Sequence, residues 1–251
     1  MIIKYFIAFL RLLIFAVSLI ISFSFYFIFL RPFAKDKNRS GFRYRHYYLT
    51  FINFFLGVRE QVTGKPEIEP ALYVCNHRGM VDFFVNLKYI DAFILSKADV
   101  AKIPILGYFA QFTGIFYIER SNMESRLATR DAIKKILMSG YNVILYPEGT
   151  TNIGRLTKSF SRGSFEVTVK NGFPVVPMAL EYQSGDDLWK NTGLMTQFVK
   201  QFGKLTTNVK MSFGNPIVTD DYNIAMSEAK SWIDNELTSM QKNWSKAYDA
   251  D

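Results

Sequence analysis

Two histidines and one cysteine serve the whole chain of 251 residues, so acid–base chemistry has few places to sit. His77 is followed five positions later by Asp82 in the stretch Asn76-His77-Arg78-Gly79-Met80-Val81-Asp82. An imidazole with an ordinary pKa of about 6.5 accepts a proton at neutral pH. A carboxylate on its other nitrogen fixes the tautomer and stabilises the imidazolium. On one continuous helix a spacing of five leaves two side chains about 140° out of line, so the chain must bend for the pair to meet. Gly79 makes that bend easy, with His77 in a strand-to-helix turn and Asp82 in the first helical turn. Taken alone, the pair reads equally well as a loop histidine and an aspartate complementing a helix dipole.

Other reactive groups are sparse. Cys75 precedes His77 by two, so on a persisting strand both side chains share a face and a thiol nucleophile is conceivable. A free cysteine in an apolar strand is more often a core residue. One cysteine excludes an internal disulfide, and with His46 and His77 it cannot assemble a usual Cys/His zinc cluster, so no metal and no cofactor are expected. Lys97 and Arg120 are candidate phosphate ligands, since ammonium and guanidinium groups make charge-assisted bonds to phosphate oxygens. Each alone is more often a solvated surface charge. Glu148, Gly149 and Thr150 follow an apolar run and are placed at a strand end. The Gly-x-Ser-x-Gly nucleophile elbow is absent, as is the Gly-x-x-x-x-Gly-Lys phosphate loop.

The elements that must position these groups lie beyond Arg59. Short apolar runs at residues 71–75, 92–95, 115–118, 142–146 and 175–180 alternate with helical stretches, the pattern of an α/β sheet. Polar residues at the ends of such strands stand where α/β folds build their sites. The clearest helix spans residues 123–138 and stops at Gly140. A covering helix is expected over residues 222–246, where Met226, Ile233, Leu237, Met240 and Trp244 repeat on one face.

The first 58 residues differ in kind. Residues 12–30 form an uncharged apolar run of 19, reaching about 28 Å as a helix and close to the hydrocarbon thickness of a bilayer. It is longer than a signal-peptide core and lacks an Ala-x-Ala-like site, so it is expected to be retained. Arg31, Lys35, Lys37, Arg39, Arg43 and Arg45 follow against one acid, Asp36, which puts the downstream part on the cytoplasmic side. The single cysteine agrees with that reducing compartment. A second stretch, residues 47–58, is too short to span and rich in Tyr and Phe, and is expected along the interface. Spanning and a hairpin dipping into one leaflet both fit, and a pair of buried core helices is the bland reading. The expected organisation is a membrane anchor at residues 1–58 and a single α/β domain at residues 59–251. A composition of 49% hydrophobic and 21% charged residues suits that combination. The formal charge of +8 favours anionic partners. The basic cluster after Leu30 reads as membrane-flanking, so no nucleic-acid partner is expected.

The same residues resemble the 1-acyl-glycerol-3-phosphate acyltransferases, glycerolipid enzymes with an Asn-His-x-x-x-x-Asp signature. Three further blocks agree in order: Gly114-Ile-Phe-Tyr-Ile-Glu-Arg120, Tyr146-Pro-Glu-Gly-Thr150 and Val175-Val-Pro-Met178. Lys97, Pro104 and Gly107 fall where that family has a phosphate-binding lysine and a Pro-x-x-Gly turn. The resemblance covers roughly residues 74–180. It implies an α/β fold with a mixed sheet flanked by helices and an N-terminal membrane-attached segment. It also implies transfer of an acyl chain from acyl-CoA or acyl carrier protein to a lysophospholipid hydroxyl, with His77 and Asp82 as the general-base pair. Lys97, Arg120, Glu148, Gly149 and Thr150 would then bind substrate. A thioester is already activated, so a positioned base suffices and no acyl-enzyme is required. Two positions depart from the pattern: Thr151 stands where an arginine usually follows Glu-Gly-Thr, and Phe160-Ser161-Arg162-Gly163 where Phe-Lys-x-Gly is common. Lysophosphatidic acid is therefore the leading acceptor beside other lysolipids, with Arg155, Lys158 or Arg162 available to restore the missing charge. An inactive lipid-binding protein is the rival from another class.

Overall fold

Strands buried on both faces read as continuous apolar runs, and such runs build the centre of this protein. The structure, a computed structural model, describes residues 2–66, 68–97, 101, 107, 111–118, 123–190, 192–242 and 244. Its seven strands are β1 (Val58–Thr63), β2 (Leu72–Cys75), β3 (Ala92–Lys97), β4 (Ile115–Ile118), β5 (Asn142–Leu145), β6 (Val175–Tyr182) and β7 (Thr207–Phe213). They form one sheet in the order β1-β7-β6-β2-β5-β3-β4. The strands from β4 through β6 are parallel, β7 runs antiparallel to β6, and β1 runs parallel to β7. The sheet is mixed, as expected. Its central trio, β6-β2-β5, ends on one edge, so the chain leaving β2 and β5 and the last residue of β6 converge there.

Side chains alternate along each strand and sort into two cores. Tyr73 and Cys75 of β2 join a core with α1 (Ile2–Phe25), α2 (Lys37–Leu56), α3 (Val81–Tyr89) and α6 (Leu194–Phe202). Leu72 and Val74 point the other way, to α4 (Met123–Met138), α5 (Arg162–Lys170) and α7 (Tyr222–Gln241). The covering helix thus ends at Gln241 instead of continuing to residue 246. Residues 243 and 245–246 lie outside the described set.

The N-terminal helices are longer than the sequence suggests. α1 begins at Ile2 and continues through a π-helical turn (Tyr26–Leu30) and a 3-10 turn (Arg31–Phe33). Ile2–Phe33 is the one helical stretch long and apolar enough to cross a membrane among the described residues. α2 starts at Lys37 because Asp36, the lone acid of the basic run, caps it: its carboxylate accepts the amides of Asn38 at 2.9 Å and Arg39 at 3.0 Å. Tyr44 of α2 stacks on Tyr26 at 4.7 Å, and its hydroxyl meets Ser22 Oγ at 2.7 Å. One side of this hairpin packs on the sheet through Ala8, Leu19, Phe23, Leu49, Ile52 and Leu56. The other leaves Phe6, Phe9, Leu13, Ile21, Phe51 and Phe54 exposed.

Arg11 fastens α1 to the domain. Its guanidinium donates to the carbonyls of Phe55, Phe202, Lys204 and Leu205 at 3.1, 3.0, 2.5 and 2.8 Å. Phe55 and Phe202 lie in the last turns of α2 and α6, where a cation complements the helix dipole, and Lys204 and Leu205 lie in the segment just after α6. Gly57 closes α2 with φ 74°, and a Cβ there would run into the same guanidinium.

Candidate active site

The chain leaves the sheet after Cys75 without losing the last bonds to β6. The register pairs Cys75 with Met178. Beyond it the Asn76 side chain takes the place of backbone: its amide donates to Leu180 O at 2.8 Å and its carbonyl accepts Leu180 N–H at 2.8 Å. The freed backbone turns at residues 77–79, and α3 starts at Val81. Asp82 holds that turn. Its Oδ2 accepts the amides of Arg78 at 2.7 Å and Gly79 at 2.9 Å, as an anion at a helix N-terminus does. Gly79 is needed for space and not for a left-handed conformation. A Cβ there would lie 2.6 Å from Asp187 O, on the loop after β6.

The same Oδ2 lies 2.6 Å from His77 Nδ1, so the bend expected from the spacing brings the pair together. With Nδ1–H donated to the carboxylate, Nε2 carries the lone pair. Asp82 is fully buried, whereas the imidazole is 16% exposed and reachable. Tyr182 donates its hydroxyl to Asp82 Oδ1 at 2.5 Å. Burial, then the negative charge of Asp82, pushes the Tyr182 phenol well above its usual pKa, which keeps it a donor. The His77 ring stacks on Tyr146 with centroids 4.1 Å apart, and Phe83 meets it edge-on at 5.9 Å. Cys75 is sealed beneath. Burial and the nearby Asp82 hold its thiol well above the ordinary value, which removes the thiolate a nucleophile would require.

The segment after β5 is tied to the turn. Glu148 Oε1 accepts the amide of His77 at 3.2 Å. Its Oε2 accepts Asn152 Nδ2 and the Lys158 amide, both at 2.8 Å. The Asn152 amide donates to His77 O at 2.8 Å. Beneath lies a buried ion pair, Arg78 with Glu181 at 3.0 Å. The Arg78 guanidinium also donates to the carbonyls of Asn152 at 3.0 Å, Gly154, and Arg155 at 2.9 Å. Gln241, at the end of α7, donates to Glu181 and to Arg155 O, both at 2.8 Å. On the far side, Trp189 N–H donates to Arg78 O at 2.9 Å. In the same loop burial pushes the Asp187 carboxyl up to about 6, although Lys204 Nζ lies 2.5 Å away and opposes the shift.

Of the residues picked from sequence, His77, Asp82 and Glu148 stand together. Gly149 and Thr150 are exposed on the loop that follows Glu148. The backbone of Lys97 closes β3 on the same edge of the sheet. The side chain of Lys97 lies outside the described residues, as do Pro104 and Arg120. Sequence reasoning missed Tyr182, Tyr146, Arg78 and Asn152. A cation set between His77 and Gly79, at the end of an apolar strand, was the available hint for Arg78; Tyr182 lies a hundred positions from its partner and gave none.

Residues 59–181 match the family described as Acyltransferase. The chain is 29% identical over 165 residues to a chloroplastic 1-acyl-sn-glycerol-3-phosphate acyltransferase of Arabidopsis thaliana, covering 65% of this chain and 44% of that protein. It is 30% identical over 123 residues to a lyso-ornithine lipid O-acyltransferase of Pseudomonas aeruginosa, covering 49% and 47%. It spans between 33% and 47% of the length of these and two further algal and plant relatives. The crystal structure of the 1-acyl-sn-glycerophosphate acyltransferase from Thermotoga maritima has the same fold, with a TM-score of 0.71, 16% identity and 95% and 96% of the two chains covered. Residues 59–181 thus form a domain of the acyltransferase family, and the relatives the chain resembles include 1-acyl-sn-glycerol-3-phosphate acyltransferases.

Proposed function

We propose that this protein is a membrane-bound O-acyltransferase moving a fatty acyl chain from acyl-CoA or acyl carrier protein to the hydroxyl of a lysophospholipid, with 1-acyl-glycerol-3-phosphate the leading acceptor. The observation that carries the reading is the 2.6 Å contact between His77 Nδ1 and Asp82 Oδ2, with the second oxygen held by Tyr182. His77 Nε2 takes the acceptor's hydroxyl proton as the oxygen attacks the thioester carbonyl. The tetrahedral intermediate collapses, the C–S bond breaks, and the imidazolium returns the proton to the leaving thiolate. Asp82 orients and stabilises the imidazolium. Glu148 binds the loop to the base through the His77 amide, and Lys97, Arg120, Gly149 and Thr150 complete the acceptor site.

The attachment we infer is in-plane. Arg11 pins α1 along the domain, and the exposed apolar row of α1 and α2 forms a face suited to one leaflet of the cytoplasmic side of a membrane. Residues 1–58 thus serve as anchor while packing on the sheet that carries the site.

A different lysolipid is the second reading, favoured by Thr151 and by the lyso-ornithine relative. Incubating the purified protein in vesicles with labelled acyl donor and a lysolipid panel tests both. His77→Ala is expected to lower transfer by about a hundredfold or more while vesicle binding persists. Retention of most activity refutes the mechanism, and lysolipid binding without turnover in the unaltered protein favours the inactive lipid-binding alternative.

A further inference from the structure

Thr151 removes a cation at the point where the acceptor loop passes His77, and three downstream residues could replace it. The geometry separates them. The Arg155 backbone is tied into the buried brace, its carbonyl held by Arg78 and Gln241 and not by Glu148. Arg162 opens α5, within electrostatic reach of Glu166. Lys158 alone is bound to the base's own support. Its amide donates to Glu148 Oε2 at 2.8 Å, while the other oxygen of that carboxylate takes the His77 amide. Its ammonium reaches back to Thr151 O at 3.4 Å, beside Asn152, whose amide donates to His77 O.

We propose that Lys158 supplies the cation for the acceptor's anionic headgroup, in place of the side chain missing at position 151. The assignment rests on the acyl-transfer reading above. The bond from Nζ to Thr151 O is long and its acceptor neutral, so rotation of the lysine stem exchanges it for a charge-assisted bond to a headgroup oxygen. An ammonium on a flexible stem is a point charge with three rotatable donors, whereas an arginine presents a planar fork matched to two oxygens. Lysine here therefore serves an anionic headgroup without demanding bidentate geometry, and both a phosphate monoester and a carboxylate qualify.

The test measures initial rates in vesicles with one acyl donor and three acceptors: lysophosphatidic acid, lyso-ornithine lipid and neutral monoacylglycerol. The unaltered protein is expected to use at least one of the acceptors that carry a phosphate or carboxylate in preference to the neutral one. Lys158→Ala is expected to raise the KM for that acceptor about tenfold or more, the effect of losing a hydrogen bond to a charged group, while the donor KM stays constant. Lys158→Arg should keep most of the affinity, and adding Thr151→Arg to Lys158→Ala should restore it. An unchanged acceptor KM in Lys158→Ala, a change confined to the donor KM, or preference for the neutral acceptor overturns the assignment alone. An unaltered protein that transfers to none of the three overturns the acyl-transfer reading, and the assignment with it.

Discussion

His77 makes no rigid scaffold of its own. The turn that presents it is held by Asn76 against Leu180, by two amides on Asp82 and by one on Glu148. The imidazole adds its bond to Asp82, its stacking on Tyr146 and an edge-on contact with Phe83. Orientation therefore depends on how well the carboxylate is fixed, and Tyr182 fixes the oxygen that the turn does not. Tyr182→Phe should lower kcat about tenfold, equivalent to about 1.4 kcal/mol, with the acceptor KM nearly constant. A variant whose KM rises while kcat holds would show Tyr182 acting on binding instead. The local spacing made His77 and Asp82 legible in the sequence, and Gly79 announced the turn. Tyr182 was hidden because nothing short of the strand order β6-β2 makes residues 82 and 182 neighbours.

Secondary elements were readable where the sequence runs apolar. The runs that became β2, β3, β5 and β6 are largely buried, and β4, an edge strand with Phe116 exposed, is apolar throughout, so all five stood out whatever their length. β1 and β7 were not recognised because one is an edge strand, Val58-Arg-Glu-Gln-Val-Thr63, and the other alternates polar and apolar residues beside it. α5 and α6 span only 9 residues each, too short for periodicity to show. What joins these elements is the buried network of Arg78, Glu181 and Gln241, linking the turn that presents His77, β6, the loop after β5 and α7. Arg78→Met leaves the Glu181 carboxylate buried without its cation and should cost about 3–5 kcal/mol in chemical denaturation. Arg78→Met combined with Glu181→Leu should recover much of that loss. Equal stability in the single variant and the unaltered protein would remove the network from the account.

The N-terminal hairpin is the part of the molecule whose sequence gave its character but not its placement. Nineteen uncharged residues announce contact with lipid, yet hydropathy carries no information on which side packs against protein. Arg11 decides it through four carbonyls, one from α2, one from the end of α6 and two from the segment after it. Arg11→Ala should destabilise the protein by about 2–4 kcal/mol and speed amide hydrogen exchange along α1, with vesicle binding retained. Unchanged exchange would mean that apolar packing alone holds the helix. α1, α2 and the helix bearing Asp82 all cover one face of the sheet. On the proposed in-plane attachment and acyl-transfer reading, a lysolipid reaches His77 by sliding within its leaflet, its tail never entering water. The quantity that sets the rate is then the mole fraction of acceptor in the film, a two-dimensional density, so diluting the surface with inert lipid is expected to slow turnover even when the total amount of substrate is fixed.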